Sequence, residues 1–316
     1  MIVGEHPLKD LYRRAVWGPA RAALEAAPAP LELAAVATGG ALAAALLSGK
    51  RQHLAENLAR AFPQHSPDEL DALARQAFQA HLANQYISFS FSKCDARTWS
   101  RYLLFRGLDR LAAASALGRG VVLMHPHMGP AQLPLHALGV LGWPMHQIGG
   151  GRVTLVELSA TGRWAAERRA ALERRMPVTL HDGRRFLRPA LRALKGGAVL
   201  MTACDATGGG EELGRRRLAT VLGQRYPVPV GPVWLALTSG APLLTLATHR
   251  NHEPGPPYVV EIGEALDFPR DQGKEQALAV GGAQTARFLD RALRAWPGDW
   301  LFWDGFEPGG LLEGAP

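Results

Sequence analysis

Gly120-Val121-Val122-Leu123-Met124-His125-Pro126-His127-Met128-Gly129-Pro130-Ala131-Gln132 decides how the chain is read. An apolar run breaks off into two histidines, a glycine and two prolines. A run bounded by turn residues predicts a buried strand emptying into a loop. In open α/β sheets, ligands sit in the loops past the carboxyl ends of strands. Two imidazoles there suit proton transfer or metal binding. Residues 133–141 predict the helix that follows, with Pro134 in its first turn.

Outward from this stretch, strands and helices alternate. Residues 98–120 predict a short strand and a helix ending at Gly118. Residues 177–180 predict a second strand that opens into His181-Asp182-Gly183, and residues 186–194 a basic helix. Residues 198–205 predict a third strand, ending in Asp205. Residues 228–237 predict a helix, 241–248 a strand, 258–262 an edge strand and 277–296 a closing amphipathic helix. Upstream, Leu54, Leu58 and Ala61 share one helical face that stops near Phe62-Pro63. Ser66-Pro67-Asp68-Glu69 then supplies a capping box, and Leu70, Leu73, Ala74, Ala77 and Phe78 continue an apolar stripe. The alternation predicts an α/β fold, a sheet flanked by helices behind an N-terminal helical region. No repeat or long polar linker divides it. Composition sets residues 1–49 apart as an N-terminal helical, membrane-associated segment and leaves 50–316 as the α/β domain.

The chain has 316 residues, enough for a sizeable core without a staple. Its two cysteines, Cys94 and Cys204, argue for a reducing compartment, and the lack of Cys-x-x-C removes a cysteine zinc site. A net charge of +7 suits an anionic membrane surface or an acidic carrier protein. No recognition helix, RNP-like strand or zinc finger points to nucleic acid. Residues 33–47 form the one long apolar stretch. They are shorter than the roughly 20 residues a span requires and predict a helix that is buried or lies shallowly in a membrane. Tyr12, Trp17 and several arginines ahead of it suit a membrane interface.

A histidine at a strand end can take a proton from a hydroxyl or amine near neutral pH, given a partner on its other nitrogen. Gln132, five positions after His127, can return to the imidazole if the helix begins near Pro130. There is no Gly-x-Ser-x-Gly elbow, no phosphate loop and no well-placed Gly-x-Gly-x-x-Gly. Gly149-Gly150-Gly151 and Gly208-Gly209-Gly210 read as turns. Arg184, Arg188 and Arg192 share a helical face. A metal-dependent hydrolase is the competing reading, with His125 and His127 joined by His181, Asp182 and Asp205.

Taken together, the segments resemble the lysophospholipid acyltransferase superfamily, and are most similar to the late acyltransferases of lipid A biosynthesis. That family carries a strand, then His, four residues and an acid; His127-Met128-Gly129-Pro130-Ala131-Gln132 occupies the place. Residues 50–63, with Asn57-Leu58 and Ala61-Phe62-Pro63, resemble its basic, Asn-Leu, Ala-Phe-Pro run. The strand ending at Asp205, the segment from Gly231-Pro232 to Gly240-Ala241, and the aromatic block 297–303 also agree in order.

The resemblance implies an acyltransferase-type mixed sheet at the cytoplasmic face of the bacterial inner membrane, peripheral or monotopic. It implies acyl transfer from acyl carrier protein or acyl-CoA to a lipid acceptor, without cofactor or metal. His127 would be the base, supported by Gln132, Asp205 and His125. Gly129, Arg152, Arg184, Arg188 and Gly231 would meet the substrates. Two departures stand out. Gln132 replaces the acid and can orient an imidazole but not stabilise its charge, so Asp205 or Asp182 is expected to compensate, or His125 to join a relay. Asp304-Gly305 follow Trp303 where the family carries basic residues, which favours an acceptor other than lipid A. A non-catalytic lipid-binding relative would share the same segments.

Overall fold

The computed structural model describes residues 7–149, 159–183, 187–205 and 214–306. The opening stretch forms strand β2, Val121–His125, with all five residues buried. Six further strands join it: β1 (Leu103–Arg106), β3 (Met145–Gly149), β4 (Thr179–Asp182), β5 (Val199–Ala203), β8 (Leu243–Arg250) and β9 (Tyr258–Ala265). Their order is β1-β9-β8-β2-β5-β3-β4, so β2 is central. Every pairing is parallel except β8 with β9. A parallel strand covered on both faces has no side to leave polar, which is why residues 121–124 are apolar without alternation.

The two faces bury different sets. Val122, Met124 and Leu200 face one core, and Val121, Leu123, Val199 and Met201 the other. The first core is covered by helices α4 (Ser48–Ala61), α5 (Pro67–Tyr86), α9 (Arg188–Lys195), α10 (Gly231–Ser239) and α11 (Lys274–Ala295). The second is covered by α6 (Leu108–Ser115) and α7 (Leu133–Val140). The expected capping box opens α5: the Glu69 N–H donates to Ser66 Oγ, and the Ser66 N–H to the Glu69 carboxylate at 2.7 Å.

Several expectations are corrected. Residues 258–262 are not an edge strand, because β9 lies between β1 and β8. The strand expected at 177–180 begins two residues later, as β4, and is itself the far edge. Val228 belongs not to a helix but to a hairpin, β6 (Arg216–Val221) with β7 (Gln224–Pro229). Its turn, Leu222-Gly223, has positive φ at both residues (52° and 73°), the geometry two-residue hairpins favour, written without the usual Asn-Gly. Strand β3 and helix α8 (Ala160–Glu173) are present without a clear local signal in the sequence. In β3, His146 and Gln147 interrupt the apolar pattern, and most of the strand is only half-buried.

Ahead of the sheet lie α1 (Pro7–Ala15), α2 (Arg21–Ala26) and α3 (Ala29–Leu46). A boundary at residue 49 would fall in the first turn of α4. Helix α3 covers the apolar stretch, has mean hydropathy 1.5, and is only 22% buried. It therefore is not a core helix. It packs on α5 along a narrow stripe of Gly40 and Ala44, where a side chain at Gly40 would meet Gln79 at 3.4 Å. Its first turn is pinned by a buried charge. The Glu32 carboxylate, 1% exposed, pairs with Lys93 and accepts from Ser90 Oγ at 2.7 Å. Lys93 also donates to the carbonyls of Leu24 and Ala27, at 2.6 and 3.0 Å.

Breaking a buried ion pair from one side leaves the other charge stranded. Lys93→Met should therefore lower unfolding free energy by roughly 3–5 kcal/mol, measured by chemical denaturation. A change below about 1 kcal/mol, the size of an exposed pair, would show that Lys93 does not hold α3.

Candidate functional site

Parallel register brings the site together. Val121↔Val199 through His125↔Ala203 are paired, and the Cys204 N–H donates to the His125 carbonyl at 2.9 Å. His127 and Asp205 each lie two residues past the last pair, so adjacent strand ends place them face to face. The His127 Nδ1–H donates to Asp205 Oδ1 at 2.7 Å, and the His127 backbone N–H to Oδ2 at 2.7 Å. A third donor comes from the far end of the chain: the Trp300 indole N–H reaches Oδ2 at 2.9 Å.

The tautomer follows. With Nδ1–H committed to Asp205, Nε2 carries the lone pair. It makes no hydrogen bond among the described residues and is not sealed in. A third of the His127 side chain (33%) is open to solvent, while that of Asp205 is fully enclosed. Burial opposes the imidazolium, but the Asp205 charge and hydrogen bond outweigh it and raise the His127 pKa above its usual value. Burial likewise opposes the Asp205 charge, but His127, Trp300 and the backbone N–H hold the carboxyl below the ordinary range. The pair is thus a solvent-facing base backed by a buried, ionised carboxylate.

The loop itself is fixed by backbone. The Gly129 N–H donates to the Asp299 carbonyl at 2.7 Å, and the Leu301 N–H to the His127 carbonyl at 3.0 Å. The Ala131 N–H donates to Asn84 Oδ1 on α5 at 3.1 Å. Gly129 takes φ of 54°, and a Cβ there would stand 3.3 Å from Thr248. The Phe302 ring rests against the imidazole, centroids 4.7 Å apart.

His125 and Gln132 take other places. His125 is buried, its Nδ1–H donating to the Pro126 carbonyl at 3.1 Å and its Nε2 unpartnered. Burial, then the neighbouring His127, push its pKa down to about 4, so it stays neutral. Gln132 caps α7, and its side chain makes no hydrogen bond to His127 or any other described residue; Oε1 is buried without a partner. The expected orienting bond from Gln132 is therefore replaced by the one from Asp205. Asp182 ends β4, three strands from β2, roughly 14 Å away at the usual strand spacing.

The metal-site reading gathers no ligands. Among the described residues no three His, Cys, Asp or Glu side chains converge. His181 is hydrogen-bonded to His146, nitrogen to nitrogen at 2.9 Å. Of the expected substrate contacts, Arg152 and Arg184 lie outside the described residues, as do Gly150, Gly151 and Gly208-Gly209-Gly210. Arg188 opens α9 and is exposed. Gly231 opens α10 with free space beside its Cα, and the Gly129 N–H is taken by Asp299.

Two residues that the sequence reading gave no part in the site complete it: Arg250, which no motif exposed, and Asn57, which figures only in the Asn-Leu run. Arg250, ending β8, donates Nε–H to Asp299 Oδ1 at 3.2 Å and its backbone N–H to Oδ2 at 3.1 Å. It also reaches Gln79 Oε1 at 3.0 Å and the carbonyls of Gln76 and Gly298. Asn57, fully buried on α4, donates to the Trp303 carbonyl at 2.7 Å. A lone polar residue on the apolar face of α4 was the available signal.

The sequence model describing bacterial lipid A biosynthesis acyltransferases matches residues 19–303. No curated protein matches the chain.

Resolved by NMR, the His127 ring should titrate above 6.5 in the unsubstituted protein and at lower pH in Asp205→Asn, because the raising charge is gone. Gln132→Ala should leave that titration in place. Movement with Gln132→Ala and none with Asp205→Asn would reverse the assignment.

Proposed function

The chain belongs to the bacterial lipid A biosynthesis acyltransferase family, and from that membership we propose that it moves a fatty acyl chain from an acyl thioester to a hydroxyl or amine of a lipid acceptor, with His127 as general base. The observation that carries this reading is the His127–Asp205 pair, with Nε2 directed away from the carboxylate and open.

In this mechanism the acceptor O–H or N–H gives its proton to His127 Nε2 as its lone pair attacks the thioester carbonyl carbon. The imidazolium is stabilised by Asp205 at 2.7 Å. The tetrahedral intermediate collapses, the C–S bond breaks, and the imidazolium returns the proton to the leaving thiolate. An ester or amide replaces the thioester, with no net proton change at the enzyme. The base must be neutral, so kcat/KM rises with pH through the raised His127 pKa.

The donor is acyl carrier protein or acyl-CoA. The exposed basic residues of α9, with Arg188, Arg192 and Lys195, suit an acidic carrier or the donor's phosphates. The acceptor is membrane-borne. Helix α3 exposes Leu31, Leu42 and Leu46, with Leu47 beside them, and α1 exposes Leu8, Leu11 and Tyr12. Lying in the cytoplasmic face of the inner membrane, these helices would hold the sheet at the bilayer. The tie of the first turn of α3 to the body through Glu32 and Lys93 supports a segment that lies along the surface rather than across it.

Acyl carrier protein and CoA, each loaded with a radiolabelled acyl chain and mixed with bacterial inner-membrane lipid and the purified protein, should yield labelled lipid. His127→Ala should abolish transfer, and Asp205→Asn should reduce it by about 10⁴, as loss of the orienting carboxylate does in serine proteases. Folded protein that transfers nothing from either donor would leave lipid binding as its activity. Separately, Leu42→Glu with Leu46→Glu should prevent flotation with phosphatidylglycerol-containing vesicles; unchanged flotation would place the membrane contact elsewhere.

A further inference from the structure

The segment after α11 is joined to the catalytic pair from three sides. Met128 and Trp300 form an antiparallel bridge, flanked by the Gly129–Asp299 and Leu301–His127 backbone bonds. Trp300 is buried (1% exposed) and set edge-to-face against Trp303, centroids 4.8 Å apart at 87°. The Arg250–Asp299 pair anchors the residue before it. Of the three N–H groups that the described residues direct at Asp205, two belong to His127 itself, and the third is the Trp300 indole at 2.9 Å.

Among the described residues, the other titratable side chains beside the pair are neutral. His125 is held down by burial, and burial together with Asp205 holds the Cys204 thiol protonated. The indole is therefore the donor to this carboxylate that His127 does not supply, and it sits on a segment remote from both strand ends.

We propose that Trp300 is a positioning residue of the acyl-transfer site, whose indole N–H holds the Asp205 carboxylate ionised and aimed at His127 Nδ1. Its effect on catalysis rests on His127 being the base; the hydrogen bond itself can be tested without any substrate. An indole N–H shares the carboxylate's charge. Without it, that charge falls back on the His127–Asp205 pair, which then holds its proton more tightly. The base would be unmasked only at higher pH.

Trp300→Phe keeps the buried ring and removes the donor. Its kcat/KM should fall about tenfold near neutral pH, the size of one hydrogen bond to a charged group. The loss should shrink as pH rises, with KM little changed, and the His127 NMR titration should move to higher pH. A profile and titration that coincide with the unsubstituted protein overturn the proposal. So does a uniform loss at every pH with an unmoved His127 titration, the mark of a merely structural ring.

If Trp300→Phe does not fold, the unsubstituted protein still decides. Its Trp300 indole N–H resonance should be protected from exchange and should shift as His127 titrates. A freely exchanging indole, indifferent to that titration, overturns the proposal. A chain with these NMR properties that transfers no acyl group would defeat the reaction reading and sustain the role of Trp300 toward Asp205.

Discussion

A carboxylate enclosed by protein is costly unless its lone pairs are met, and the structure around Asp205 is arranged to meet them. The His127 ring, the His127 backbone N–H and the Trp300 indole all donate to it. Each donor fixes something else in return. The ring bond sets the tautomer that leaves Nε2 bare. The backbone bond fixes the turn after Pro126. The indole bond ties the C-terminal segment to the strand ends. Losing the carboxylate would release all three at once.

The donors are supplied from distant parts of the chain. Strands β2 and β5 bring His127 and Asp205 together by register alone, 78 residues apart in sequence. The C-terminal block then closes over them, held by Asn57 on α4 and by Arg250, which spans β8, α5 and the turn at Gly298. The helices before the sheet thus do two things. On one side, α4 and α5 brace the residues that pack around His127. On the other, α3 carries an apolar surface toward the proposed bilayer while Glu32 and Lys93 tie its first turn to the body. A membrane-borne acceptor and a proton-transfer pair would in this way share one scaffold.

The replacement of the family's acid by Gln132 has a physical resolution. Gln132 stands at the start of another element, α7, and its side chain makes no bond to His127. The charge that stabilises an imidazolium has to lie beside it, and Asp205 lies there, from the neighbouring strand. His127 therefore keeps a charged partner although Gln132 stands where an acid was expected.

Local pattern was enough to read much of this protein. The all-apolar run 121–124 ending in histidine marked the central strand, Ser66 to Glu69 marked the start of α5, and the final strand residues marked Asp205, because these signals depend on near neighbours in sequence. The order of segments was enough to suggest the family. What failed locally was whatever gets its meaning from neighbours in space. Strand β3 is polar in part and half-buried, so it shows no run. The β6–β7 turn is Leu-Gly, and Tyr258 to Ile262 looks like any short strand whether at an edge or inside the sheet. That Asp205 rather than Gln132 or Asp182 meets His127, and that Trp300, Asn57 and Arg250 make their contacts here, was decided only by tertiary structure. A hydrogen bond between side chains depends on distance and direction, and for residues tens or hundreds of positions apart those are fixed by strand order, register and docking.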